Sequence, residues 1–136
     1  MRILYVGDIV GRAGRELVCR RLPTLRQDFG ADFVVINGEN AAHGFGITEK
    51  ICQALFAAGA DVIVTGNHAW DQREIIDFID SEPRLLRPVN FPPGTPGRGA
   101  NVFETADGRR LVVAQAQGRL FMHAIDDPFG ALAAIA

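Results

Sequence analysis

The chain has 136 residues, 48% hydrophobic and 22% charged, which suffices for one folded domain and excludes a mainly disordered or collagen-like polymer. Lys and Arg total 14 against 16 Asp and Glu, a formal charge of −2 that argues against a broad nucleic-acid surface or one for acidic membranes. The apolar run in Met1–Asp8 is far too short for a signal peptide or a spanning helix, so a cytoplasmic location is the expectation.

In chain order, one pattern repeats over the first 80 residues: a short β-branched run ends in Gly plus polar residues, and an amphipathic segment follows. Ile3-Leu4-Tyr5-Val6 runs into Gly7-Asp8, and Phe33-Val34-Val35-Ile36 into Asn37-Gly38-Glu39-Asn40. Val62-Ile63-Val64-Thr65 runs into Gly66-Asn67-His68. Strands apolar on both faces predict a parallel sheet with helices on each side. The first helix carries Val18, Leu22, Leu25 and Phe29 as one stripe, with a kink or fresh start expected at Pro23. The second has Thr48 as N-cap, Ile47, Ile51, Leu55 and Ala58 on one face, and Gly59 as its stop. The third is expected from Asp71, with Glu74 as a capping partner and Ile75, Ile76 and Ile79 buried. Beyond residue 83 a Pro- and Gly-rich surface loop precedes a hairpin, marked by Asp107-Gly108 between Asn101–Glu104 and Arg110–Ala114, and an Ala-rich helix ends the chain. Cys19 and Cys52 lie in apolar helical patterns and read as reduced thiols.

All strand carboxyl ends of a parallel sheet point one way and border a common crevice. Asp8, Glu39, Asn40, Asn67 and His68 stand at three such ends and should converge, as oxygen-rich donors of the kind that hold Mn, Fe or Zn. Each has an ordinary alternative as a turn, cap or solvated residue, and their joint placement is what favours a site. Gly7 to Gly14 is glycine-rich but has Gly7 and Gly11 four apart where a dinucleotide fingerprint needs two, and the single lysine, Lys50, is no phosphate-loop lysine. A metal-free nucleotide-binding or inactive structural α/β module is therefore the alternative. The loop Ala41–Gly46 has a composition suited either to a mobile flap, with His43 or Phe45 contacting a nucleobase, or to a plain surface connection.

Three motifs, Gly7-Asp8-Ile9-Val10-Gly11-Arg12-Ala13-Gly14-Arg15, Asn37-Gly38-Glu39-Asn40-Ala41-Ala42-His43-Gly44-Phe45-Gly46-Ile47-Thr48 and Thr65-Gly66-Asn67-His68-Ala69-Trp70-Asp71-Gln72, closely resemble those of the YmdB-like metallophosphoesterases. Arg87–Pro92, Gly118–Met122 and Asp126–Phe129 agree. The resemblance implies bacterial phosphodiesterases acting on 2′,3′-cyclic nucleotides, with two divalent or mixed-valence metal ions (Fe, Mn or Zn). The implied fold is α/β, a mostly parallel sheet with flanking helices that forms one half of a calcineurin-like α/β/β/α sandwich. Asp8 would bind one metal, Glu39 would bridge both, Asn40 would sit on the Asp8 side, Asn67 would bind the second metal, and His68 would donate a proton. Val10 stands where the wider calcineurin-like pattern has a His, as in this family.

Such enzymes are about twice as long, and their second half supplies three more His ligands. This chain has only His43, His68 and His123 and no His-x-His pair. Residues 1–136 are thus expected to be one metallophosphoesterase domain lacking its C-terminal half, with weak or no activity alone. Val112, Val113 and their neighbours should expose an apolar patch, making a homo-oligomer the expected partner state beside the small cyclic nucleotide substrate.

Overall fold

The computed structural model describes residues 1–136. Strands β1 (Ile3–Val6), β2 (Phe33–Asn37), β3 (Val62–Val64) and β4 (Leu85–Leu86) form a parallel sheet in that order, linked by helices α1 (Gly11–Asp28), α2 (Glu49–Ala57) and α3 (Ile75–Ser81). A hairpin of β5 (Ala100–Glu104) and β6 (Arg110–Ala114) forms a second sheet, and α4 (Pro128–Ala133) follows. The α/β class and the parallel strands are those expected. No helix is long and apolar enough to cross a membrane.

The expectation of helices on both faces is corrected. Alternation along each strand separates two apolar clusters. Val34 and Ile36 of β2, Ile63 of β3 and Leu85 of β4 pack with Leu22, Leu55, Ile75 and Ile79 from the three helices. Phe33, Val35, Val62, Val64 and Leu86 on the opposite face meet Phe103, Leu111 and Val113 of the hairpin instead. The connections explain the asymmetry, since right-handed crossovers that advance the sheet in one direction leave every helix on the same side. The hairpin stops short of β1, where register places Ile3 beside Phe33 and Tyr5 beside Val35, leaving Ile3 and Tyr5 54% and 55% exposed.

Three helix details also differ. Pro23 lies inside α1, which continues through it with the ring on the exposed side, where water can serve the carbonyl deprived of an N–H partner. Phe29 caps α1 and is exposed, because Gly30 at φ +55° turns the chain away from the stripe. Helix α3 begins at Ile75, four residues later than expected, because Asp71 is engaged elsewhere, and Ile76 faces outward. Thr48 caps α2 as expected, accepting from the Ile51 N–H at 3.3 Å. Both cysteines are free, and burial pushes the Cys52 thiol up.

A candidate metal centre at three strand ends

Residues after β1, β2 and β3 are held together by backbone bonds across the turns. Ile9 N–H donates to the Asn37 carbonyl at 3.1 Å, Gly11 N–H to that of Asn40 at 2.9 Å, and Gly38 N–H to that of Val64 at 2.9 Å. Asn37 Oδ1 accepts from the Glu39 N–H at 3.0 Å and fixes the bend that turns Glu39 over the sheet. A Cβ on Gly66 would collide with the Glu39 carboxylate, so glycine is what lets that carboxylate lie against the β3 end.

Glu39 Oε2 is buried and has no hydrogen-bond partner. Burial, then the negative charge of Asp8, push the Glu39 carboxyl above its ordinary range, opposed by the His68 ring and the Asn67 backbone N–H. Asn40 Nδ2 donates to Asp8 Oδ2 at 2.7 Å, and Asn67 shares a cavity of about 360 Å³ with Glu39. The expected donors Asp8, Glu39, Asn40 and Asn67 are therefore brought to one rim. No three His, Cys, Asp or Glu side chains converge there, so any cation has to draw on carboxamide oxygens as well as the two carboxylates. An orphaned buried carboxylate oxygen beside a second carboxylate, with no Lys or Arg pairing it, fits a cation.

His68 is positioned by two contacts. Its Nδ1 lies 2.6 Å from Asp71 Oδ2, and its ring meets Phe45 edge-on at 5.2 Å between centroids. An Asp that accepts from Nδ1–H fixes the imidazole orientation and leaves Nε2 for proton exchange. Sequence reasoning missed this role for Asp71, although the His-x-x-Asp spacing at one turn was a usable signal. Phe45 is held in turn, its carbonyl accepting from Gln72 Nε2 at 2.7 Å.

The Ala41–Gly46 segment is a closed turn more than a flap. Ala42 N–H donates to the Gly46 carbonyl at 2.8 Å, Gly44 N–H to that of Asn40 at 3.0 Å, and the Arg15 guanidinium to that of Ala41 at 2.7 Å. His43, at φ +56°, leaves its companion Phe45 and lines a separate cavity between α1 and α2 with Arg15 and Lys50.

The family model described as YmdB-like protein matches residues 4–136. This chain belongs to the YmdB-like family. It is 53% identical over 129 residues to the 2′,3′-cyclic-nucleotide 2′-phosphodiesterase of Bacillus subtilis (strain 168), a match covering 95% of this chain and 48% of the relative. Among solved structures, a hypothetical protein from Thermus thermophilus aligns with a TM-score of 0.91 and 42% identity, over 99% of this chain and 52% of the other. A novel phosphatase from Mycoplasma pneumoniae aligns with a TM-score of 0.89 and 29% identity, over 98% and 49%. The chain thus spans about half the length of the relatives it matches, and across that half the α/β arrangement described above is shared.

Proposed function

We propose that this chain supplies the first part of a metal-assisted phosphodiesterase site for 2′,3′-cyclic nucleotides, completed by further chain of the kind that makes its relatives twice as long. The observation that carries the reading is the buried, unpartnered Glu39 Oε2 beside Asp8, in a protein 53% identical to a named 2′,3′-cyclic-nucleotide 2′-phosphodiesterase. Burying ionised oxygen without a partner costs stability, so a cation is the natural complement.

Asp8 and Asn40 hold one side of the cation site, Asn67 the other, and Glu39 lies between them. For Asn40 to offer oxygen, its carboxamide turns by about 180°, exchanging Nδ2 for Oδ1 without moving the backbone. Divalent ions, of which Fe, Mn and Zn suit these donors, would activate water and offset charge on the phosphoryl oxygens when bound. Water oxygen forms a new bond to phosphorus as the bond from phosphorus to the 2′-oxygen breaks, and His68 donates a proton to that leaving 2′-oxygen, leaving the phosphate on the 3′-oxygen. Asp71 holds the ring for that transfer and Phe45 packs on its edge, within reach of a nucleobase.

The experiment is hydrolysis of 2′,3′-cyclic AMP by this sequence in a chain extended to the length of its relatives. The expected product is 3′-AMP, formed with Mn²⁺, lost with excess chelator and abolished by Glu39→Gln. Undiminished turnover in chelator would contradict the metal reading, and no turnover with any divalent metal would favour a metal-free nucleotide-binding or inactive structural module instead.

A further inference from the structure

The cavity that holds Glu39 and Asn67 has a second wall, formed by Gln115 to Leu120 and Met122. This wall belongs to a loop whose two ends are tied by one buried side chain. Asn90, 1% exposed, donates from Nδ2 to the carbonyls of Gln117 and Asp126, each at 2.9 Å, and accepts from the Gln117 N–H at Oδ1, also at 2.9 Å. Its own carbonyl accepts from the Asp126 N–H at 3.2 Å. A surface loop closed by four bonds to a single buried residue is a rigid mount for what it carries.

What it carries is unexplained by folding. Leu120 and Phe121 are 79% and 97% exposed, and Phe121 sits at φ +58°, a left-handed conformation that strains a bulky residue. Arg119 lines the cavity, is the one cationic residue to do so, and forms no ion pair with any carboxylate. Gln117 also lines it, 7% exposed, with a buried Oε1 that lacks any donor. A guanidinium without a counter-ion and a carboxamide oxygen without a donor, set opposite a cation-seeking carboxylate, match an anionic ester that also bears hydroxyl groups.

We propose that the Gln117–Asp126 loop is the substrate-binding wall of the site, with Arg119 holding the phosphate of a sugar phosphate ester and Gln117 Oε1 accepting from a sugar hydroxyl. This deepens the phosphodiesterase reading and rests on it for the identity of the ester. Arg119 supplies positioning and charge to the phosphate, and Asn90 sets where that charge stands.

The test is a titration of the 136-residue chain with inorganic phosphate, in EDTA, followed by backbone amide shifts. Saturating shifts at Gln117–Met122 are expected, with affinity about tenfold weaker in Arg119→Gln and partly recovered in Arg119→Lys. Absence of loop shifts in the wild-type chain, or equal affinity in wild type and Arg119→Gln, overturns the assignment. In separate samples, Mn²⁺-induced broadening of the Asp8, Glu39 and Asn67 amides tests the metal reading by itself. If that broadening is missing while Arg119→Gln still weakens phosphate, the metal reading falls and the Arg119 assignment stands; broadening with equal phosphate affinities sinks Arg119 alone.

Discussion

Glu39 bears a cost that a bound cation would offset. Its carboxyl is raised above the ordinary range, first by burial and then by Asp8, so without a cation its ionisation works against folding. A carboxylate raised in the folded state favours folding below its unfolded value and opposes it once pH climbs past the folded one. Glu39→Gln should therefore raise the thermal midpoint of the metal-free chain at neutral pH and leave it nearly unchanged near pH 4, as read by calorimetry; a lower midpoint at neutral pH would count against a functional strain at this position. His68 differs, because it is held by Asp71 and Phe45 and needs no cation to be satisfied. In the extended chain, His68→Ala should lower kcat by about 10²–10⁴ with metal content unchanged. If the variant instead loses metal, His68 is a ligand. The placement of Asp8, Glu39, Asn40 and Asn67 at one rim was readable from the sequence, because parallel strands aim all their carboxyl ends alike. The Asp71 partnership was signalled only ambiguously by the His-x-x-Asp spacing, since a helix cap and an imidazole partner present the same residue type at the same turn.

Among the elements, the hairpin covers part of the second sheet face through Phe103, Leu111 and Val113, and its turn adds an electrostatic tether to that apolar docking. Arg109, in the turn between β5 and β6, pairs with Asp107 at 2.6 Å and with Asp32, just before β2, at 2.8 Å. The Arg2 backbone N–H, then Arg109, hold the Asp32 carboxyl below its usual range, and Arg109 and Thr105 do so for Asp107. A depressed carboxylate stabilises above its unfolded value, and that stabilisation is lost as pH falls through the folded one. Denaturation followed from pH 6 down to pH 2 should therefore show acid loss of stability, with Asp32→Asn less stable at pH 6 and converging on wild type at the acid end. Parallel curves at all pH values would remove Asp32 from the tether. Asp107-Gly108 announced this hairpin in the sequence, with Gly108 at φ +81°, because turn chemistry is local. Its docking on the sheet was hidden: Val35 and Val64 are apolar whether a helix or a strand covers them, so alternation shows that a face is buried but not by what. The Asn90-tied loop escaped notice for the same reason, its bonds joining residues 27 and 36 positions apart.

At the scale of the whole molecule, the uncovered part of the second face remains. Ile3, Tyr5 and Val112 are each more than half exposed, and all three border one apolar groove between β1 and β6. Apolar surface of this kind favours association, so the 136-residue chain should self-associate at micromolar concentration, with Tyr5→Lys shifting it toward monomer. A clean monomer by sedimentation in the wild-type chain would contradict that expectation. The donor set has a parallel consequence: with no three His, Cys, Asp or Glu side chains converging, two carboxylates and two carboxamides should hold one cation weakly and support negligible turnover in the 136-residue chain.

Calorimetric titration of the 136-residue chain with Mn²⁺, wild type beside Glu39→Gln, tests the metal centre most directly. One weakly bound cation is expected in the wild-type chain, with no detectable binding in the variant. Equal binding by both, or none by the wild-type chain, would contradict a metal centre built on Glu39.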